Sequence, residues 1–150
     1  FTNSQFPHIT SYGHELALSV VFESGIQHMA DRPEGYYELP DAAKTFLKQV
    51  PASWDDTTLL DGFPGKYTVI ARRKGTDWFI GGINSGRKER IQNLKFDFLP
   101  AGQTFKLTLI ADGNHDKAFS TQYLLVDKTT SLDVKVLNMG GFAASLVLNK

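Results

Sequence analysis

Three aspartates lie close together in the stretch VPASWDDTTLLDGFPGKY, where Asp55 and Asp56 follow Trp54 and Asp61 precedes GFPGKY. Two carboxyl groups on either side of a scissile bond are the usual means of hydrolysing a glycoside. Adjacent residues on an extended strand point to opposite sides, so Asp55 and Asp56 make a poor catalytic pair. In a turn, such carboxylates usually accept hydrogen bonds from backbone N–H groups. We therefore predict that Trp54, Asp55 and Asp56 form a structural junction.

Aromatic side chains raise a second possibility, a surface that binds carbohydrate. Trp78, Tyr67 and Tyr123 are the candidates for contact with a sugar, since their rings could stack on it. Aromatic residues also dominate ordinary cores and domain interfaces. Sugar binding would require an exposed row of these rings on one face of a sheet, and this alternative stays open at the level of sequence.

The histidines and glycines do not complete a catalytic or metal-binding set. The four histidines are His8, His14, His28 and His115, and none of them pair at the i, i+4 spacing of a helical metal site. The motif GGINSG lacks the lysine and the following helix of a phosphate-binding loop. Gly81 and Gly82 lie in a strand pattern, where a bulge or close backbone packing is usual. We expect no catalytic, cofactor-binding or metal-binding residue in this chain.

Composition limits the remaining classes of function. Sixteen Lys and Arg balance sixteen Asp and Glu among 150 residues, so nothing favours a nucleic acid or an anionic membrane as partner. The longest apolar run, Leu16 to Phe22, is far shorter than the roughly 20 residues that span a bilayer. The basic cluster Arg72-Arg73-Lys74 is expected only to solvate the end of a hairpin. The chain begins at Phe1 without a leader pattern, which suggests a mature product or a piece of a longer protein.

Two periods of hydrophobicity divide the chain. Residues 1–52 have helical spacing, with Thr10 or Ser11 as a cap. The first predicted helix lies within residues 14–30. Its apolar face consists of Leu18, Val21, Phe22, Ile26 and Met29, and it is widened by Leu16, Ala17 and Val20. The second helix has the stripe Ala43, Phe46, Leu47 and Val50, and it ends at Pro51. The first helix is apolar nearly all round, so it requires neighbours on several sides.

From about Lys66 the period becomes two, and turns such as ADGN and NMGG separate the segments. This pattern predicts about seven strands and an antiparallel β-sandwich. The fold class is therefore mainly β, with two helices before the sandwich. Residues 55–64 are expected to lie on the seam between the two parts.

The stretch from HELALSVVFESGIQHMADRPEGY through VPASWDDT, GFPGKY and ARRKG closely resembles the C-terminal portion of glycoside hydrolase family 97. The resemblance is strongest over residues 14–84. In that family a β-supersandwich precedes a (β/α)8 barrel, which carries the catalytic carboxylates and a calcium site, and a small β-sandwich ends the chain. The resemblance implies that residues 1–52 are the tail of the barrel and that residues 53–150 are the C-terminal sandwich. It also implies a periplasmic or secreted enzyme.

The resemblance predicts a fragment of an α-glucosidase or α-galactosidase that is inactive by itself. It would contact the rest of the barrel or mediate homo-oligomer contacts, and calcium would bind only elsewhere in the parent enzyme. One alternative is a small β-sandwich module that binds oligosaccharide. Another is an interaction protein that dimerises through Leu16 to Met29. The sequence leaves open the choice between glucosides and galactosides.

Overall fold

The computed structural model describes residues 8–27 and 31–150. Three helices come first: α1 (Tyr12–Val21), α2 (Pro33–Tyr37) and α3 (Asp41–Gln49). Eight strands follow: β1 (Asp56–Phe63), β2 (Tyr67–Lys74), β3 (Asp77–Asn84), β4 (Arg90–Lys95), β5 (Phe105–Asp112), β6 (Phe119–Val126), β7 (Ser131–Val136) and β8 (Gly141–Leu148). No described helix is long and apolar enough to cross a membrane.

The strands form a large and a small sheet with a shared apolar core. The large sheet has the order β1-β2-β3-β8-β5-β6, the small sheet pairs β4 with β7, and neighbouring strands are antiparallel. Alternate residues of β5, namely Phe105, Leu107 and Leu109, point into the core between the sheets. The predicted mainly β, antiparallel sandwich is therefore confirmed, with eight strands in place of about seven.

The helices cover the opposite face of the large sheet. Leu16 and Val20 of α1 and Phe46 of α3 pack with Phe79 of β3 and Ile110 of β5 in a second apolar core. The molecule thus has three layers, with the large sheet between the helices and the small sheet. Residues on both sides of the predicted boundary at 52 and 53 contribute to this second core, and the boundary itself stays a prediction.

The seam predicted at residues 55–64 is mostly a regular strand, β1, which pairs with β2. Its register shifts between Leu59 and Asp61, as in a β-bulge. A bulge adds one residue to one strand, so the two-residue alternation of side chains is interrupted. This interruption is why the hydrophobic pattern of Thr57 to Gly62 did not indicate a strand.

The apolar face predicted for the first helix is confirmed only in its first part. Leu16, Ala17 and Val20 are buried, and Leu16 and Val20 pack on the sheet. The helix ends at Val21, so the prediction was wrong for Phe22 and Ile26, which follow the helix and are exposed, while Met29 lies outside the described residues. Leu16 and Val20 are therefore already covered by this chain and are not available for the dimerisation that the sequence suggested through Leu16 to Met29. The short helix α2 was not predicted, and its Pro33 occupies the first turn, where proline is tolerated.

Candidate association surfaces and helix anchors

A buried carboxylate fixes the N-terminal end of α1 to the sheet. Ser11 caps the helix by accepting a hydrogen bond from the backbone N–H of His14 at 3.1 Å, and its hydroxyl donates to Asp112. Asp112 Oδ2 also accepts from the backbone N–H groups of Leu137 and Gly141, at 2.9 and 3.0 Å. Burial raises the pKa of Asp112, although these hydrogen bonds oppose that shift. The carboxylate thus joins the helix cap to the start of β8.

A buried guanidinium fixes the C-terminal end of α1. Arg72 of β2 donates to the carbonyl oxygens of Val20 and Val21 at 2.7 and 3.3 Å, where helix carbonyls lack partners within the helix. It also donates to Thr57 Oγ1 at 2.9 Å and pairs with Glu23 at 3.3 Å. The prediction that Arg72 solvates a hairpin end was therefore wrong. Its alternation with Ile70 places it on the helix face, a signal that sequence analysis did not use.

Glycines allow α1 to lie directly on the sheet. A Cβ at Gly81 would come within 2.8 Å of the carbonyl oxygen of Ala17 and 3.0 Å of Val20 Cβ. On the other face of β3, a Cβ at Gly82 would overlap the ring of Phe142. The predicted close backbone packing at Gly81 and Gly82 is confirmed.

Trp54 lies where the helical layer meets the sheet. Its ring makes an edge contact with Phe79, with centroids 5.6 Å apart, and the guanidinium of Arg72 lies 5.8 Å from its centroid. The side chain is only partly buried, yet its indole Nε1 has no hydrogen-bond partner among the described residues. Trp54 therefore contributes apolar contact to the second core.

The two adjacent aspartates bind separate backbone groups. Asp55 Oδ2 accepts from the N–H of Gly75 at 2.7 Å, and Oδ1 lies 3.3 Å from Lys74 Nζ. The Gly75 hydrogen bond is the main reason that the pKa of Asp55 is lowered. Asp56 Oδ1 accepts from the N–H of Thr57 at 2.8 Å. Asp55 thus holds the turn between β2 and β3, and the exposed pair does not converge on one point as a catalytic pair would.

Asp61 belongs to a polar cluster beside a cleft of about 320 Å³ between β1 and β4. It accepts hydrogen bonds from Gln92 at 2.9 Å and from the Tyr67 hydroxyl at 3.1 Å. The Gln92 bond is the main cause of its lowered pKa. The guanidinium of Arg90 lies 3.3 Å from the centroid of the Tyr67 ring. One face of that ring is therefore already covered.

The three aromatic candidates do not form a row. Trp78 is only 5% exposed and packs against Phe98 in the sandwich core, so its proposed contact with a sugar was wrong. Tyr67 begins β2, whereas Tyr123, which is 70% exposed, lies on β6. Four strand positions separate β2 from β6, or roughly 19 Å at the usual strand spacing. The arrangement therefore does not provide the continuous platform that the sequence alternative required.

The histidines that the structure describes do not converge. His14 is buried, with Nδ1 3.2 Å from the carbonyl oxygen of Gly140, while His8 and His115 are exposed; His28 lies outside the described residues. Within residues 8–27 and 31–150, no group of three or more His, Asp or Glu could hold a metal ion.

The two edge strands of the large sheet differ in how well they are protected against pairing with another strand. The β1 edge carries Asp56, Asp61 and a bulge, all of which discourage pairing with another strand. The β6 edge, FSTQYLLV, contains no charged residue, glycine or proline. Tyr123 and Leu125 of β6 are 70% and 63% exposed. The alternation in the sequence indicates strands in this region, but it does not show which of them lies at an edge.

A model of the family described as glycosyl-hydrolase 97 C-terminal, oligomerisation, matches residues 53–147. The chain is 39% identical over 144 residues to a probable retaining alpha-galactosidase of Streptomyces bingchenggensis, covering 96% of this chain and 22% of that protein. It is 35% identical over 136 residues to a retaining alpha-galactosidase of Bacteroides thetaiotaomicron, covering 88% and 20%. The chain thus spans about a fifth of the length of these curated relatives.

Solved structures agree with this assignment. A glycoside hydrolase family 97 enzyme from Pseudoalteromonas sp. strain K8, in complex with acarbose, superposes with a TM-score of 0.88 at 32% identity, covering 94% of this chain and 23% of that one. A beta-arabinopyranosidase superposes with a TM-score of 0.78 at 28% identity, covering 91% and 21%. The chain belongs to the glycosyl-hydrolase 97 C-terminal, oligomerisation family, as its resemblance to glycoside hydrolase family 97 predicted.

Proposed function

We propose that this chain is the accessory, subunit-associating part of an enzyme that hydrolyses α-glycosidic bonds. The match of the sandwich to an oligomerisation family is the observation that carries the proposal. The two curated relatives are named as retaining α-galactosidases, which makes α-galactosides the proposed substrate class of the whole protein. Retention would require its two catalytic carboxyl groups to lie about 5–5.5 Å apart.

The chain's own role in this proposal is structural. The carboxylates that first suggested catalysis, and the buried Asp112, all accept structural hydrogen bonds. Asp55 accepts from a turn, Asp61 from Gln92 and Tyr67, and Asp112 from the α1 cap. Each therefore serves the architecture. The helical layer, anchored to the middle of the sheet, would connect the sandwich to the rest of a catalytic barrel.

Calcium and cellular location enter the proposal only through the family resemblance. The described residues offer no set of carboxylates that fits calcium, so we propose that any such ion is held by other parts of the enzyme. A periplasmic or secreted location is proposed on the same basis. Oligosaccharide binding by the sandwich itself is less favoured, because Trp78 is buried and Tyr67 is covered by Arg90.

The test combines hydrolysis with self-association of the purified 150-residue chain. We expect no turnover of an aryl α-galactoside or an aryl α-glucoside, with or without calcium, and concentration-dependent association in sedimentation velocity. Calcium-dependent turnover that survives repurification would contradict the structural role. A monomer at every concentration would contradict the oligomeric role. A tryptophan-fluorescence response to maltooligosaccharides at millimolar concentration would favour the binding module.

A further inference from the structure

We propose that two copies of this chain associate through the free edge of β6, in a contact related by a two-fold axis. This inference rests on the proposed oligomeric role and names the surface that would perform it. In such a contact β6 of one copy would lie antiparallel to β6 of the other and extend the large sheet across the dimer. Backbone hydrogen bonds would supply part of the affinity and the exposed side chains the rest.

The first argument is the contrast between the two edges of the large sheet. An exposed sheet edge presents unpaired N–H and C=O groups, and proteins usually blunt it with charges, prolines or bulges. The β1 edge has two aspartates and a bulge, whereas the β6 edge has eight residues without a charge, a proline or a glycine. Among the described strands, only β5 pairs with β6. The β6 edge is therefore suited to a partner strand.

The second argument is the apolar surface beside that edge. The strand register places Leu125 of β6 and Val147 of β8 on either side of Lys106 of β5, and Tyr123 opposite Thr108. These residues share the helix face of the sheet, but they lie beyond the residues that the helices cover. Tyr123, Leu125 and Val147 are all exposed. A strand that pairs with β6 would cover Tyr123 and Leu125, the residues of this surface that lie at the edge.

The third argument identifies the partner as a second copy. A two-fold contact brings the same strand of both copies together. A charge near the middle of β6 would therefore lie close to the same charge of the other copy. The sequence FSTQYLLV avoids this repulsion, because its polar residues Ser120, Thr121 and Gln122 are all neutral. An uncharged strand is therefore compatible with its own copy, and the family to which the chain belongs is described as oligomerising.

The experiment places charges on one edge and uses the other edge as a matched control. Leu125→Lys and Leu125→Glu alter the β6 edge, and Leu59→Lys and Leu59→Glu alter the β1 edge. Leu125 and Leu59 are 63% and 65% exposed, so the same substitutions are made at comparable surface positions. Tyr123→Lys and Tyr123→Glu are a second pair of β6 variants, at the exposed position nearest the middle of the strand. Circular dichroism melts should show that each variant folds as the unmodified chain does.

Sedimentation velocity should show that Leu125→Lys and Leu125→Glu each weaken self-association by about 100-fold or more, because each copy brings the same charge to the contact. Mixing Tyr123→Lys with Tyr123→Glu should restore association, because Tyr123 lies near the middle of β6 and a two-fold axis there brings the opposite charges together. Leu59→Lys, Leu59→Glu and their mixture should associate as the unmodified chain does. Restoration by mixing is the result that a partner other than a second copy would not give.

The outcomes separate this surface from the oligomeric role itself. Association that survives both Leu125 variants and Tyr123→Lys would overturn the β6 proposal while leaving the oligomeric role intact. Loss of association in the Tyr123 variants without recovery when they are mixed would overturn the two-fold arrangement. Equal losses at Leu59 and Leu125 would remove the assignment to one edge. An unmodified chain that is monomeric at every concentration would overturn both proposals.

Discussion

The two faces of the large sheet are buried in different ways. On the sandwich face, alternating apolar residues such as Phe105, Leu107 and Leu109 meet the small sheet in a core made of hydrophobic side chains. On the helix face, a smaller apolar core is accompanied by the buried charged residues Asp112 and Arg72. Buried charges are costly unless they are fully hydrogen-bonded, and here both bind the ends of α1.

Sheet-on-sheet packing and helix-on-sheet packing are therefore specified by different kinds of contact in this chain. Alternation suffices to place two sheets together, since every second residue faces the partner. A short helix could slide or rotate on a smooth apolar surface. We infer that the polar anchors at its two ends, together with the close approach at Gly81, fix its position and direction.

The largest expected effect tests the apolar face alone. Phe105→Ala should lower the free energy of unfolding by about 3–5 kcal/mol, because it removes a fully buried ring and leaves a cavity. Urea unfolding measures this change. A loss below about 1 kcal/mol would mean that the sandwich core closes around the gap and is less tightly packed than the structure indicates.

Removing the guanidinium tests the C-terminal anchor of α1. Arg72→Met should lower the free energy of unfolding by about 2–3 kcal/mol, since the carbonyl oxygens of Val20 and Val21 lose charged donors. Arg72→Lys should recover only part of this loss, because an ammonium does not reproduce the guanidinium fork. Relative to the unmodified chain, Arg72→Met should accelerate hydrogen exchange more in α1 than in the sandwich strands. Uniform acceleration in both would argue that the two faces do not respond separately.

The contact of Trp54 should be worth less than a fully buried aromatic residue. Trp54→Ala should lower the free energy of unfolding by about 1–2 kcal/mol, because the ring is only partly buried and its removal also eliminates an unpaired Nε1 donor. Trp54→Phe, which keeps much of the contact with Phe79 and lacks that donor, should be close to neutral. Thermal unfolding measures the stability of both variants. Equal losses of stability for Trp54→Ala and Trp54→Phe would mean that the indole N–H, which both lack, is the important group.

The smallest effect is a pH dependence at the N-terminal anchor. The pKa of Asp112 is raised above 3.8 by burial, so the folded state holds this proton more tightly than the unfolded state. Its contribution to stability is therefore present below pH 3.8 and declines as pH rises through the folded pKa. Asp112→Asn should abolish that decline while keeping an oxygen that can accept from Leu137 and Gly141.

The measurement for Asp112 is the difference in unfolding free energy between the unmodified chain and Asp112→Asn, followed from pH 3 upward. This difference removes the opposite contribution of Asp55 and Asp61, whose pKa values are lowered and which act equally in both proteins. A difference that does not vary with pH would show that the carboxylate titrates as it does in the unfolded chain.

The same contrast explains what the sequence could predict. The sandwich face follows from local alternation, and that is why the antiparallel β-sandwich was predicted from the pattern of segments such as TFKLTLIA. The cap at Ser11 also followed from local chemistry. β1 was missed because its bulge interrupts the alternation, a property of its pairing with β2.

The helix face and the edges depend on contacts between distant residues. Arg72 looked like part of an exposed basic cluster, because its partners Val20 and Val21 lie about 50 residues earlier in the chain. Trp78 looked available to a sugar, because nothing local shows that Phe98 and the small sheet cover it. The position of β6 at an edge likewise follows only from the order of strands in the sheet.

The double anchorage of α1 has a mechanical consequence. Ser11 is bonded to Asp112, and Arg72 holds the other end of the helix, so a force applied at Thr10 enters the sheet through its interior strands. Before α1 can leave the sheet, such a load must break the hydrogen bonds of Asp112 at one end of the helix and those of Arg72 at the other. In a pulling experiment, α1 should therefore stay attached to the sandwich and transmit the force to it until its anchoring hydrogen bonds break.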